Sequence, residues 1–263
     1  HPLATASGIA ILQSGGNAFD AAVTVSAVLA VVEPYGSGMG GGGFWLLHRT
    51  ADAREVMIDG RERAPLAATR DMYLDAQGEP VPGLSIDGPL AAGIPGQPAA
   101  LVHIAEHYGR LPLHVTLAPA IRLAREGLEV DANYRRMAGF RLQALRDSPA
   151  AAQQFLVDGE LPPLGHRLRQ PDLADTLEAI ARHGFDGFYR GEVARRRVEG
   201  TRQAGGIWTL QDLAQYEVGE RPPVVGYFRG HRVVSAAPPS SGGVVLVQML
   251  NMLQQVRLQN YAS

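Results

Sequence analysis

The feature of this sequence that most limits how the chain can fold is a glycine-rich segment that lies between two regular sequence patterns. Six of the eight residues from 36 to 43 are glycine. The stretch before it, residues 18–32, is nearly all alanine and valine, which is typical of a helix that is buried on most faces. Ordering so many glycines costs considerable chain entropy, so we expect the segment to pack tightly around another group, which glycine allows through close backbone approach.

The spacing of Gly36, Gly38 and Gly41 formally matches a dinucleotide-binding fingerprint, but its context is inverted. That fingerprint follows a strand and opens a helix. Here it follows a helix and precedes two apolar runs, residues 44–48 and 55–59, which predict a β-hairpin. A nucleotide site in the glycine segment is therefore disfavoured.

The pattern of apolar residues predicts mainly helices from residue 91 to residue 205 and strands again after that. Glycine, proline and capping residues at the ends of the periodic runs predict the boundaries. No linker or repeat interrupts the chain, so we expect a single domain over residues 1–263. The expected helices span residues 6–13, 18–32, 98–108, 113–126, 132–146, 171–183, 186–203 and 244–258, with a short helix capped by Thr209, and the later strands span 224–228 and 232–236.

Composition excludes several kinds of chemistry. All 24 basic residues are arginine and cysteine is absent, which excludes lysine-dependent sites, thiol nucleophiles and thiolate metal ligands. A net charge of −2, evenly spread, provides no basic surface for nucleic acid. The longest apolar stretch, residues 21–32, is shorter than the about 20 residues that cross a bilayer. We expect neither a nucleic-acid partner nor a membrane span.

His103, Glu106 and His107 match an inverted zincin motif. In such a motif two histidines one helical turn apart share a zinc ion and the glutamate acts as a base. No third ligand is identifiable, and the histidines share a helix side with Ala99 and Ala100 that is typical of a half-exposed surface. We therefore favour an ordinary helix side and expect no metal and no other cofactor.

Arg61 follows the predicted hairpin beside Gly60. Its planar guanidinium can bind a carboxylate through two hydrogen bonds, which lysine cannot match. From the spacing alone, an ion pair with Glu62 or Asp59, or simple exposure, is favoured over ligand binding.

Ser240 and Ser241 precede the last predicted helix, and we expect their side-chain oxygens to cap it. A nucleophilic serine would need a partnered base. Only His231 is near in sequence, so a serine triad is disfavoured.

Short motifs occur in order along nearly the whole chain, and together they resemble the large-subunit half of the gamma-glutamyltransferases (gamma-glutamyltranspeptidases). None is decisive alone, but their joint occurrence is specific. The clearest are GGNAFDAA at 15–22, SGMGGGGF at 37–44, DGRERAP at 59–65 and PPSSGG at 238–243, with shorter ones at 1–4, 32–34, 93–96, 108–112, 117–120 and 187–191.

The resemblance implies an α/β (α+β) fold, the αββα sandwich of the N-terminal-nucleophile hydrolases, of which only the large-subunit part is present. Members of this family are made as precursors that cut themselves and expose a threonine at the start of the small subunit. That threonine is the nucleophile and, through its own α-amino group, part of the base system. A γ-glutamyl group passes from glutathione or a similar donor to the threonine, and then to water, an amino acid or a peptide.

By position, Arg61 matches the family arginine that holds the α-carboxylate of the γ-glutamyl group. The Thr-Thr-His-like start of the small subunit is absent from this sequence, so no catalytic residue is assigned and the chain alone is expected to be inactive. The implied partners are a γ-glutamyl donor and its own small subunit, and the implied location is periplasmic or secreted. An incomplete sandwich should also expose apolar surface.

Two alternatives stay open at this point. The first is a related acylase that acts on a cephalosporin side chain, a glutaryl amide or a poly-γ-glutamate. The second is a degenerate relative that binds ligands or other proteins without catalysis.

Overall fold

The computed structural model describes residues 1–256, which fall into two compact units. The first unit comprises residues 1–42 and 61–217, and the second comprises residues 43–60 and those from 218 onward. Both helices and strands are present, which confirms the mixed α/β class. The expected single domain over residues 1–263 stays a prediction.

The first unit is mainly helical. A 3-10 turn covers Pro89–Ala91, and two short strands, β3 (Leu128–Glu129) and β4 (Arg167–Leu168), pair antiparallel. The helices are α1 (Pro2–Gln13), α2 (Ala18–Val32), α3 (Gln97–Tyr108), α4 (Leu113–Glu126), α5 (Ala132–Gly139), α6 (Leu142–Asp147), α7 (Pro149–Phe155), α8 (Pro171–His183), α9 (Asp186–Tyr189), α10 (Gly191–Gln203) and α11 (Leu210–Ala214).

Helix α2 is the buried centre of this unit, as its alanine and valine content predicts. Val23, Ala27 and Val28 have no exposed surface, and the helix packs against α1, α3 and α4. Its one buried hydroxyl, on Thr24, donates a hydrogen bond of 2.7 Å to the backbone oxygen of Thr116 in α4. The polar group therefore has a partner inside the core, as buried polar groups require.

A buried carboxylate fixes the start of α2. Asp20 is fully buried and accepts hydrogen bonds from the backbone N–H groups of Asn17, at 2.8 Å, and of Arg110 and Leu111, at 3.1 and 3.2 Å. The Asn17 side chain accepts from the N–H of Asp20 in return, which completes a capping box. The amide of Asn17 also donates to the backbone oxygen of Tyr108, at 2.7 Å. The first turn of α2 is thereby joined to the loop that follows α3.

Within residues 43–60 and 218–256, the second unit has two antiparallel sheets and one helix. The first sheet has the strand order β1 (Gly43–Arg49), β2 (Arg54–Gly60), β5 (Gly219–Arg221). The second pairs β6 (Val224–Phe228) with β7 (His231–Ser235), and α12 (Gly242–Leu253) packs against both of these strands. The hairpin predicted from the two apolar runs is confirmed, with Trp45 opposite Ile58.

Two predicted helices are each broken in the structure. The predicted helix over 132–146 is divided into α5 and α6 at Phe140 and Arg141, directly after Gly139. The predicted helix over 186–203 is divided into α9 and α10, because Arg190 is extended and Gly191 has a φ of +66°. In both cases a glycine lies at or beside the break, and glycine is a poor helix residue.

Several short elements were not predicted, and one predicted helix end lies outside the described residues. The sequence analysis predicted neither α7 nor the short strands β3, β4 and β5. The predicted end of the last helix, at residue 258, lies outside the described residues.

Helix α12 leaves much of its apolar surface exposed. Val244, Val245, Leu246, Met249 and Met252 are all exposed along it. The expected exposed apolar surface is therefore confirmed in the second unit. Among the described helices, however, none has both the length and the apolar character needed to cross a bilayer.

We predict that Asp20→Asn lowers the free energy of unfolding by about 1–3 kcal/mol, since the new amide would face backbone donors with an N–H group and leave buried donors without an acceptor. Urea unfolding of the full-length protein measures this change. Asp71→Asn, at an exposed ion pair with Arg70, serves as the control and should change stability little. Equal unfolding free energies for the Asp20 variant and the unaltered protein would contradict the anchoring role.

Candidate functional site

Arg61 is the first residue after β2, and the backbone that carries it is held by distant residues. The hydroxyl of Tyr216 donates to the backbone oxygen of Arg61, at 2.8 Å. Two residues further on, Arg63 and Ile94 exchange backbone hydrogen bonds of 3.1 and 2.7 Å. The guanidinium of Arg63 also donates to the backbone oxygen of Glu217, at 2.8 Å, and lies over the Tyr216 ring. Residues 61–63 therefore have a fixed backbone course.

Tyr216 is itself positioned by a second tyrosine. Its ring stacks on the ring of Tyr189, with centroids 5.4 Å apart. Tyr189 donates a hydrogen bond from its hydroxyl to the backbone oxygen of Pro95, at 2.7 Å, and accepts one from the N–H of Ala99, at 3.2 Å. Burial raises the pKa of Tyr189 well above its usual range, so this hydroxyl keeps its proton. The two tyrosines thus connect the start of α3 to the backbone of Arg61.

The side chain of Arg61, in contrast, is 58% exposed. Its Nε lies 3.3 Å from Oε2 of Glu62, so the ion pair with Glu62 that the sequence favoured is present. The Asp59 carboxylate accepts a hydrogen bond from Nε of Arg221, at 2.7 Å. A guanidinium carries five N–H donors, so an exposed one can bind a ligand carboxylate as well as a neighbouring acid.

Glu62 also lines a cavity of about 360 Å³ whose wall is the glycine segment. Gly36, Gly38, Gly41 and Gln97 are among the other lining residues. The segment is held in place because the backbone oxygen of Gly41 accepts from the N–H groups of both Gly96 and Gln97, at 3.0 Å. A small cavity, lined in part by the backbone of the glycine segment, therefore lies beside Glu62, the residue that follows Arg61.

The expectation that the glycine segment packs tightly is wrong for three of its six glycines. A Cβ atom added at Gly36 or Gly40 would meet nothing within 4 Å, and one at Gly38 would meet only the Gly40 nitrogen, at 3.9 Å. No glycine of residues 36–42 has a positive φ. The segment instead leaves open space beside its backbone, and several of its residues line cavities.

One close approach to the site occurs at Gly93, outside the glycine segment. A Cβ atom there would lie 2.9 Å from Cβ of Glu62 and 3.3 Å from the backbone oxygen of Arg63. Real Cβ atoms essentially never come that close to another atom. Glycine at this position therefore allows the backbone before α3 to run beside Glu62.

The histidine motif does not form a metal site. The rings of His103 and His107 stack with centroids 4.2 Å apart, and Nδ1 of His107 lies 2.9 Å from the backbone oxygen of His103. Within residues 1–256, no group of three histidine or acidic side chains is arranged to hold a metal ion. Ala99 and Ala100 are buried, so they do not form the half-exposed face that we expected to share with the histidines.

The serine pair caps its helix only in part. Oγ of Ser240 accepts from the N–H of Gly242, at 3.3 Å. Ser241 is the N-cap residue of α12, but its side chain makes no capping hydrogen bond, which corrects the expectation for that residue. The cause is its helical backbone conformation, because a capping side chain needs an extended one.

Arg61 stays a predicted site residue, and two of the residues that position its backbone were not predicted from the sequence. Tyr216 lies 155 residues further along the chain, and nothing in its local sequence indicates a bond to Arg61. Glu62 was expected as an ion-pair partner of Arg61, whereas Gly93 lies within the quoted motif at 93–96 but was assigned no role.

Comparison with known proteins gives a consistent match. A family model described as Gamma-glutamyltranspeptidase matches residues 4–263. The Glutathione hydrolase proenzyme of Pseudomonas sp. (strain A14) is 43% identical over 257 residues, which cover 96% of this chain and 44% of that protein. The Acylase ACY 1 proenzyme of Pseudomonas sp. (strain SE83) is 37% identical over 261 residues, which cover 97% of this chain and 46% of that protein. The chain thus spans less than half the length of these relatives.

A solved structure agrees over the whole chain. The gamma-glutamyltranspeptidase of Helicobacter pylori superposes with a TM-score of 0.97 at 40% identity, covering 100% of this chain and 75% of that one. The expected fold class is confirmed by this match.

We predict that Gly93→Ala destabilises the protein, because the added methyl group would push both Glu62 and the Arg63 backbone away from residue 93. The expected loss is about 1–3 kcal/mol in the free energy of unfolding, measured by urea denaturation of the full-length protein. Gly40→Ala places the same methyl group in open space and is the matched control. The account of Gly93 fails if both variants unfold alike.

Proposed function

The chain belongs to the gamma-glutamyltranspeptidase family, and from that membership we propose that it is the large-subunit part of an enzyme that transfers γ-glutamyl groups. The donor is glutathione or a related γ-glutamyl compound, and the acceptor is water, an amino acid or a peptide. The observation that carries the proposal is an exposed arginine, Arg61, on a fixed backbone beside a glycine-lined cavity.

In this proposal Arg61 binds the α-carboxylate of the donor. A carboxylate held by two parallel hydrogen bonds from a planar guanidinium is fixed in direction as well as in position. Fixing the carboxylate orients the γ-carbonyl group at the other end of the donor, and such orientation lowers the barrier to attack. Before the donor binds, the ion pair with Glu62 keeps the Arg61 guanidinium near the place where the α-carboxylate would bind.

The covalent step belongs to a threonine of the small subunit, outside this sequence. Its hydroxyl oxygen attacks the γ-carbonyl carbon, the amide C–N bond breaks, and the hydroxyl proton passes by way of the threonine's own α-amino group to the leaving amine. Water or an amine then takes the γ-glutamyl group and releases the threonine. The word proenzyme in the names of the relatives supports a precursor that is processed, and a periplasmic or secreted location is proposed from the resemblance alone.

The second candidate is an acylase, which the similarity to the Acylase ACY 1 proenzyme favours. A glutaryl group keeps the terminal carboxylate of a γ-glutamyl group but lacks its α-amino group. Arg61 would therefore bind the carboxylate of either donor equally well. Discrimination between the two donors must then come from groups outside this chain that recognise the α-amino group.

We predict that Arg61→Ala in the full-length, processed enzyme raises the KM for a γ-glutamyl anilide by tens-fold or more, because a hydrogen bond to a charged group contributes about 1.5–3 kcal/mol. Arg61→Lys should recover only part of this loss, because an ammonium group cannot make the paired contact. Arg70→Ala, at a 93% exposed side chain, is the control. An unchanged KM for Arg61→Ala would remove this residue from the donor site.

The choice between the two enzyme types rests on a pair of substrates. For a transferase we expect a higher kcat/KM with the γ-glutamyl anilide than with the glutaryl anilide, and for an acylase the reverse. Arg61→Ala should reduce kcat/KM for both anilides by similar factors, since both carry the carboxylate. A loss confined to one anilide would contradict the carboxylate contact, and no turnover of either by the processed protein would favour a non-catalytic relative.

A further inference from the structure

Arg197 in α10 is a half-buried cation, and among residues 1–256 it has no hydrogen-bond or ion-pair partner. Its Nε atom is buried and has no hydrogen-bond partner. The guanidinium lies over the ring of the fully buried Phe188, 4.2 Å from the ring centroid. Its two neighbours differ, because Arg195 and Arg196 both form ion pairs with Glu192 on the surface of α10. Burial lowers the pKa of Arg197 to about 10, so the side chain is still charged at neutral pH.

A buried charge of this kind is costly unless an opposite charge or hydrogen-bond acceptors compensate for it. Among residues 1–256, no carboxylate forms an ion pair with Arg197. The stacking on Phe188 satisfies one face of the guanidinium but none of its N–H donors. The buried Nε therefore has no partner among the described side chains.

The Arg197 side chain lines a cavity of about 1000 Å³, which we call the α8 cavity because the first turn of α8 forms part of its wall. Pro171, Asp172 and Leu173 of that turn all line it. No side chain caps this helix, and the amide of the N-cap residue, Gln170, donates instead to the backbone oxygen of Val31, at 2.8 Å. Pro171 has no N–H group, and the N–H of Ala174 donates to the backbone oxygen of Gln170, so the N–H groups of Asp172 and Leu173 are left unpaired among the described residues, at the positive end of the helix dipole.

The charges around the α8 cavity are mixed and balanced, with two arginines and two aspartates. Arg197, Arg169 and His166 line it, together with the carboxylates of Asp158 and Asp172. Asp172 lies in the first turn of α8 and offsets part of the dipole there. Asp172 does not pair with Arg197. Two groups that can bind an anion, the guanidinium with its unpaired Nε and the N-terminus of α8, therefore line the same cavity.

We propose that the α8 cavity binds an anionic oxygen group, a phosphate or a carboxylate, through Arg197 and the N-terminal N–H groups of α8. The anion has two possible sources with this shared chemistry. One is a small free anion, and the other is an acidic side chain from the part of a full-length protein outside this sequence. Arg61 does not line the α8 cavity, although this cavity shares Pro34, Ser37 and Gly38 with the cavity beside Glu62. The proposal rests on Arg197 and α8 and does not depend on the proposed transferase activity.

The test follows the melting temperature of the full-length protein while sodium phosphate replaces sodium chloride at constant ionic strength. Arg197→Met keeps the length and the apolar stem of the side chain but removes the donors. Arg195→Met removes an exposed arginine of the same helix and is the matched control. For a free anion, we expect a saturable rise of about 2–4 °C in the unaltered protein and in Arg195→Met, and no rise in Arg197→Met.

For an internal carboxylate, phosphate gives no rise, and Arg197→Met lowers the melting temperature at neutral pH because it leaves the buried carboxylate without a partner. That loss should shrink as the pH falls towards the carboxylate pKa of about 4, where the acid becomes neutral. The proposal is overturned if phosphate stabilises Arg197→Met as much as the unaltered protein. It is also overturned if phosphate has no effect and Arg197→Met melts at the same or a higher temperature, or shows a loss that does not depend on pH.

Discussion

The hydrogen bonds to the buried Asp20 carboxylate are the interaction on which the first unit depends most. They hold the first turn of α2 and the loop after α3 against the same two oxygen atoms. Helix α2 is the centre against which α1, α3 and α4 pack, so its start sets the position of the whole helical cluster. Since α3 begins at the cavity beside Glu62, the packing of the core also determines where the candidate site lies.

The candidate site combines a rigid backbone with an accessible side chain. Backbone bonds with Ile94 and the Tyr216 hydroxyl hold residues 61–63, while the Arg61 guanidinium extends into solvent beside Glu62. This arrangement suits the binding of a small charged ligand, because the backbone is already ordered and only the Arg61 side chain loses conformational freedom when the ligand binds. The Arg197 site has the opposite character, since there the side chain is half-buried and its Nε atom is buried without a partner among the described residues.

Local patterns allowed much of the fold to be predicted. The alanine and valine of α2, the Asn17 and Thr209 caps and the β1–β2 hairpin each depend on residues close in sequence, and the structure confirms them. The breaks after Gly139 and at Gly191 were missed because the flanking segments keep a helical period, which conceals a break of one or two residues. The glycine segment was misinterpreted because glycine indicates either close packing or open space, and sequence alone does not distinguish them. Arg61 could be found from its motif, whereas Tyr216 and Arg197 depend on contacts between distant segments.

The bond from the Tyr216 hydroxyl to the Arg61 backbone has a consequence for the order of events during synthesis. The two residues are separated by 155 positions, and a ribosome releases the earlier one long before the later one exists. Contacts of such long sequence separation form late, after the local helices. A nascent chain that ends before α11 already contains Arg61 and every residue of the glycine segment, but it lacks the hydroxyl that holds the arginine backbone. The backbone geometry at Arg61 is therefore among the last features of this unit to be completed.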